Sequence, residues 1–213
     1  MKDLIILGAG ENGVMVTDII EKNNQISPDY NIIGYLDDDK SKLGKIIGGY
    51  EVLGSMDNWS KYKNSFFTSP LVSSPKNNHL KHVIVEKLNI PNQLYINIIP
   101  HELKLPKLFK MGVGNWIMPG AQINPCVELG NHNYISMNCV LGFGTIMEDY
   151  CNLSMTSVTL GNSQIKTGAY IGANASIFGK DNKWKDKNSK QNYIGRWSIV
   201  GMGSVVINAV NNY

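Results

Sequence analysis

From Ile99 onward one position in six carries a bulky aliphatic side chain, and no other feature constrains the fold as tightly. The series runs Ile99, Leu105, Met111, Ile117, Ile123, Leu129, Ile135, Leu141, Met147, Leu153, Thr159, Ile165, Ile171 and Ile177, with Thr159 its one exception to Ile, Leu or Met. A column of small residues follows four positions later: Ala121, Val127, Asn133, Cys139, Thr145, Cys151, Ser157, Ser163, Ala169 and Ala175. A helix would repeat its buried face every 3.6 residues and a strand every two. A period of six fits neither. It fits a coil whose flat faces each contribute one short strand, with large side chains at the axis and small ones turned inward at the corners. We therefore read residues 99–213 as a left-handed parallel β-helix of hexapeptide repeats, three faces and about 18 residues per turn. The series resumes at Ile194, Val200 and Val206. The segment between, 178–193, holds Lys180, Lys183, Lys185, Lys187, Lys190 and Trp184, and reads as a loop thrown out of one corner.

Residues 1–98 follow a different rule. Leu4–Leu7 reads as a buried strand, followed by the glycine loop Gly8-Ala9-Gly10-Glu11-Asn12-Gly13 and a helix through Val14, Val16, Ile19 and Ile20. Asn31–Leu36 reads as a second strand ending at Asp37-Asp38-Asp39. Ser65–Thr68 and Leu71–Ser73 read as later strand pieces, and Asn78–Leu88 as a helix through Leu80, Val83, Ile84 and Leu88. Strands alternating with helices make a parallel sheet, so this part is an α/β Rossmann-like domain. Glycines at 8, 10 and 13 permit a tight turn and let backbone N–H groups approach a phosphate at the helix N-terminus. Asp37 and Asp38 end the second strand, where a carboxylate can accept from a ribose hydroxyl. A half-sheet of this size suits a mononucleotide better than a dinucleotide. A nicotinamide-dependent oxidoreductase would rest on the glycine loop alone.

Composition narrows the classes further. Twenty Lys and Arg against 17 Asp and Glu leave a net charge of +3, too little to mark a nucleic-acid binder. No apolar run approaches the ~20 residues of a membrane span. Cys126, Cys139 and Cys151 lack metal-ligand spacing and form no even disulfide set, so no metal site is expected and a cytoplasmic protein with reduced thiols is. Cys139 and Cys151 fall in the small inward column, where packing explains them.

The motifs "LIILGAGENG", "IIGYLDDD", "GGYEVLGS", "NIIPHE", "WIMPGAQINP", "YIGANASI" and "IGRWSIVGMGSVV" occur in an order that resembles the bacterial sugar acyltransferases of the sialic-acid O-acetyltransferase and bacillosamine N-acetyltransferase type. The resemblance covers nearly the whole chain. It implies a homotrimer that binds acetyl-CoA between adjacent β-helices and a nucleotide-linked sugar on the N-terminal domain. The implied reaction moves an acyl group from a thioester to a sugar amine or hydroxyl. The base of that family is a His in a slot that here is Phe143, followed by Gly144. A phenyl ring accepts no proton, so the resemblance leaves two outcomes open, an active transferase or a nucleotide-sugar-binding homologue acting as a partner subunit. Other positions implied by the resemblance are Asn152 for substrate contact, Gly161 as oxyanion amide, and Gly172, Ala173, Gly201 and Gly203 along the pantetheine. The loop lysines could meet CoA phosphates or form a solvated basic loop.

His132 is the one histidine inside the repeats and lies 11 residues before Phe143, at another corner, so it could substitute as base only from a neighbouring subunit. Glu148 and Asp149 lie one face further round and read as solvated carboxylates. His79 and His82 read as surface residues, and His101 as a junction contact. Trp116, Tyr134 and Phe143 point outward from the coil, and closed three-fold packing would cover them.

Overall fold

The computed structural model describes residues 1–179 and 192–213. The basic segment with Lys180, Lys183, Lys185, Lys187, Lys190 and Trp184 lies outside the described residues. The N-terminal unit begins with β1 (Lys2–Leu7), α1 (Glu11–Asn24) and β2 (Tyr30–Leu36). β3 (Ile46–Ile47), β4 (Tyr50–Gly54), β5 (Phe66–Thr68) and α2 (Leu80–Leu88) follow. The sheet order is β3-β4-β2-β1-β5, parallel except for the β3–β4 pair. β1 is central, and its Leu4, Ile5, Ile6 and Leu7 are fully buried because both sheet faces are covered. Leu71–Ser73, expected as a strand, is not one; the chain there runs along a cleft. β3 and β4 were not foreseen, since neither carries a sustained apolar alternation.

Beyond the sheet the chain coils. Three five-stranded parallel ladders stack along a prism, each strand only two described residues long. The first face pairs Trp116, Tyr134, Asn152, Tyr170 and Ile199 in register. The second pairs Gln122, Val140, Val158, Ser176 and Val205. The third pairs Lys110, Glu128, Ile146, Gln164 and Tyr193. Ile165, Ile171 and Ile177 pair with Ile194, Val200 and Val206, so the ladder resumes across the inserted segment in the frame the periodicity predicts. This is the left-handed parallel β-helix. Its axis holds Ile117, Ile135, Leu141, Met147, Leu153, Ile165 and Ile171, and the small column is buried beside them. Thr159 also points inward, its hydroxyl 3.1 Å from that of Thr145, so the break in the aliphatic series is satisfied by a partner.

Each corner turns through a residue with φ near +60°: Gly114, Gly120, Cys126, His132, Asn138, Gly144, Tyr150, Thr156, Asn162, Gly168 and Asn174, then Trp197 and Gly203. The prism therefore has three edges. Gly114, His132, Tyr150, Gly168 and Trp197 line the first edge, which precedes the first face. Gly120, Asn138, Thr156, Asn174 and Gly203 line the second, and Cys126, Gly144 and Asn162 the third. Along the inside of the first edge an asparagine ladder caps backbone groups: Asn97 Oδ1 accepts from Asn115 N, Asn115 Oδ1 from Asn133 N, and Asn133 Oδ1 from Cys151 N.

The two units pack on each other. Trp116 and Tyr134, expected to need a partner subunit, are buried at 1% and 9% exposure against Ile96, Ile98 and Val72 of the same chain. α1 contributes Asn23, which donates to Ile99 O at 2.8 Å and accepts from His101 N at 2.9 Å. His101 is thus a junction contact through its backbone. α2 lies along the first edge. It was expected to bury Leu80, Val83, Ile84 and Leu88, but buries Lys81, Val85 and Leu88 instead and leaves Leu80 and Val83 exposed.

Candidate functional site

The glycine loop opens a cleft of about 460 Å³ at the C-terminal end of β1. One wall is Gly8, Gly10, Glu11, Asn12 and Gly13; the other is Leu71, Val72 and the exposed side of α2, Leu80 and Ile84. Gly8 has φ +112° and turns the chain out of β1. A Cβ on Gly13 would strike Gly8 O, so this glycine lets α1 approach the strand. Around Gly10 there is open space. α1 starts at Gly10 with no side chain capping it, which leaves first-turn N–H groups for an anion.

Asp37 lines the cleft as expected, but three donors hold its carboxylate. Its Oδ2 accepts from Ala9 N at 2.7 Å and from Lys42 Nζ at 2.9 Å, and its Oδ1 accepts from Asp39 N at 2.8 Å. Burial raises its pKa, but these hydrogen bonds and the Lys42 charge outweigh burial and hold it below the usual carboxylate range. Asp37 is the pin that ties the glycine loop to β2. Its neighbour Asp38 lines the cleft and accepts from Met56 N with Oδ1 only, at 2.9 Å. Asp38 Oδ2 accepts from no donor among the described residues, and of the two carboxylates this is the one free to meet a hydroxyl.

On the coil, Phe143 stands beside the third edge at 55% exposure. Its column runs Pro125, Phe143, Gly161. Asn162 N donates to Phe143 O at 2.7 Å and Gly144 N to Pro125 O at 3.1 Å, so the corners are stitched together around it. Gly161 N–H meets no acceptor among the described residues, as an oxyanion donor must. Across the second face, Gly172 N is taken up by Val200 O at 2.9 Å, and Ala173 O accepts from Gly203 N at 2.8 Å. The run that could grip a pantetheine amide is thereby reduced to Ala173 N–H and Gly201 N–H, which meet no acceptor among the described residues.

The remaining sequence expectations divide sharply. His132 is buried at the first edge, ring-stacked 5.2 Å from Tyr150 and edge-on to Tyr95 at 4.6 Å. Burial, with Lys81 nearby, pushes its pKa down to about 3. A ring enclosed by its own chain reaches no neighbouring subunit's site, so the substitute-base role is withdrawn. Glu148 is not a solvated carboxylate: it accepts from Thr167 N at 3.0 Å, Thr167 Oγ1 at 2.8 Å and Lys166 Nζ at 3.1 Å. Asp149 Oδ1 accepts from Asn131 N. Asn152 is buried on the first face and donates to Ser154 Oγ at 3.1 Å. His79 is exposed as expected and His82 half-buried, and both rings lie against the coil, with centroids 4.0 and 5.2 Å from Trp197. No group of three His, Cys, Asp or Glu that could hold a metal occurs among the described residues, and Cys126, Cys139 and Cys151 are free.

Within one chain the cleft and the Phe143–Gly161 corner lie toward different edges of the prism. Sequence reasoning missed the α2 contacts, because a Lys in a buried helical row and a Trp at a left-handed corner give no periodic signal.

Residues 3–88 match the family model of the PglD N-terminal domain. No curated protein matches the chain. Among solved structures, a mutant of perosamine N-acetyltransferase from Caulobacter crescentus, in complex with CoA and GDP-perosamine, superposes with a TM-score of 0.80. It is 18% identical, over 100% of this chain and 91% of that one. The acetyltransferase domain of PglB from Neisseria gonorrhoeae, in complex with acetyl coenzyme A, gives 0.78 at 18% identity, over 99% of this chain and 93% of that one. WeeI from Acinetobacter baumannii gives 0.73 at 18%, over 100% and 94%. The shared fold is a Rossmann-like domain leading into a β-helix, end to end.

Proposed function

We propose that the chain is an acetyl-CoA-dependent transferase that acylates an amino or hydroxyl group on a nucleotide-linked sugar. The observation that carries this reading is that one chain joins an uncapped glycine-loop cleft to a β-helix corner whose Gly161 N–H meets no acceptor among the described residues. The structural neighbours hold CoA, acetyl-CoA and GDP-perosamine on the same architecture. In this reading the cleft holds the nucleotide, with its phosphates at the α1 N-terminus and a hydroxyl on Asp38. The reactive sugar group reaches a coil corner of an adjacent copy in a homotrimer. Gly161 N–H would receive the thioester oxygen as it gains charge. Ala173 and Gly201 would hold the pantetheine, and the reaction would take place in the cytoplasm, where thioester donors are made. No helix among the described residues is long and apolar enough to cross a membrane.

The transfer forms a carbon–nitrogen or carbon–oxygen bond and breaks the thioester carbon–sulfur bond. The nucleophile's proton ends on the departing sulfur. With Phe143 in the corner, that proton travels through solvent or the substrate's own phosphate, and rate enhancement rests on orientation and the amide. Thiol release from acetyl-CoA with a panel of UDP-, GDP- and dTDP-amino sugars tests the reading. Release with one of them supports it; nucleotide-sugar binding without release with any supports the non-catalytic partner, which only the phenyl ring at Phe143 favours.

A further inference from the structure

The left-handed corners are not filled alike. Gly, Asn, Thr and Cys occupy the second and third edges, whereas the first edge carries His132, Tyr150 and Trp197 at φ 56°, 59° and 59°. A bulky residue in this conformation is strained where glycine is not. All three strained rings touch the N-terminal unit. His132 meets Tyr95, while Tyr150 meets His82 and donates to Glu86 Oε1 at 2.7 Å. Trp197 lies on His79 and His82, and its indole covers Gly168, where a Cβ would collide with the ring. Beside it Asn78, buried, donates to Gly168 O at 2.8 Å and Trp197 O at 3.1 Å. These contacts gather at the start of α2. The opposite side of the same turn presents Leu80 and Ile84 to the cleft.

We infer that Trp197, with His79 and Asn78, is a positioning clamp that sets where α2 stands and so fixes the outer wall of the nucleotide cleft. The strain at Trp197 is accepted because its indole joins coil and cleft wall. Trp197 touches no cleft residue except through α2, so its effect falls on nucleotide affinity and not on the thioester end. This rests on the reading that the cleft takes a nucleotide.

Trp197→Gly separates the clamp from folding, because glycine relaxes the corner while removing the ring. The expected result is a melting temperature not far below wild type and a dissociation constant for UDP or GDP raised about tenfold, a change of ~1.4 kcal/mol. CoA binding should be unchanged. Hydrogen exchange in α2, residues 80–88, should quicken while the coil's stays the same, and Trp197→Phe, which keeps a ring on His79, should recover most of the affinity. Wild-type nucleotide affinity and α2 exchange in Trp197→Gly would overturn the clamp. If wild-type protein binds neither UDP nor GDP, the nucleotide reading of the cleft fails instead, and the α2 exchange decides the clamp by itself.

Discussion

Under the proposed function Phe143 takes the slot of the proton acceptor, and its ring has no lone pair to offer. The neighbouring side chains do not replace it: Glu148 is engaged by Thr167 and Lys166, and His132 is sealed inside the domain joint. Gly161 N–H meets no acceptor among the described residues, so in that reading the corner keeps its oxyanion donor and lacks its base. Phe143→His is expected to raise the rate of thiol release by about 10²–10⁴, the usual worth of a positioned base, without altering nucleotide-sugar affinity. Intact binding of both substrates with no gain would mean that the corner has diverged beyond one residue. The frame of six was legible in the sequence and fixes where Phe143 falls, while the role of that slot is what the family resemblance implies. The roles of Asp37 and Asp38 were not legible. Two adjacent carboxylates end β2, and only the fold shows that Ala9, Asp39 and Lys42 hold the first while one oxygen of the second stays open.

At the scale of elements, the coil was readable because one rule recurs from Met111 to Val206, and a single substitution such as Thr159 does not hide it. α2 was misread for the opposite reason. Its nine residues carry apolar side chains on two sides, one toward the sheet and coil (Val85, Leu88) and one toward the cleft (Leu80, Ile84), with Lys81 in the buried row. Lys81 is 2% exposed and its Nζ has no partner among the described residues. Burial lowers its pKa from 10.5 to about 7. The groups around the joint do not offset this: His132 is neutral there, Tyr95 is a buried phenol, and Glu86 is occupied by Tyr150. Between pH 7 and 10.5 the unfolded chain keeps the lysine proton while the folded chain sheds it, so unfolding takes up a proton and stability rises with pH. Cys139 and Cys151, whose buried thiols stay protonated in the folded chain, pull the other way as the unfolded thiols ionise near pH 9, and the comparison with Lys81→Met cancels that contribution. Lys81→Met is expected to flatten that rise and to stabilise the protein at pH 7 by a few kcal/mol, on the order of 2–4. Urea denaturation at pH 7, 8 and 9 measures both; parallel curves for the two proteins would show that Lys81 stays charged and hydrated.

At the scale of the molecule, the three prism faces differ in what covers them. The lower part of the first face is packed under the N-terminal unit, and the third carries the Lys110–Glu128 pair at 2.8 Å with Gln164 and Tyr193. Among the described residues the second face has no such cover. Val140, Val158 and Val205 run up its middle, Met155 and Met202 flank the second edge, and Phe143, Leu160 and Phe178 flank the third, with Val205 75% exposed. Of the aromatics read from sequence as awaiting a subunit, only Phe143 remains in this uncovered band. An apolar strip of this kind on a rigid prism, broken at Ser176 between Val158 and Val205, is closed most simply by rotational repetition of the same contact. The proposed homotrimer is therefore expected in solution as three chains of 23.6 kDa. Val158→Lys, at the centre of the strip, should yield a monomer by sedimentation equilibrium, whereas Gln164→Lys on the third face should not change the mass. The same dissociation should abolish thiol release while leaving nucleotide binding intact, because the cleft and the Gly161 corner of one chain lie toward different edges. A monomeric Val158→Lys protein that still transfers would show that one chain completes the site alone, and the cleft would then have to deliver its sugar around the prism to its own third edge.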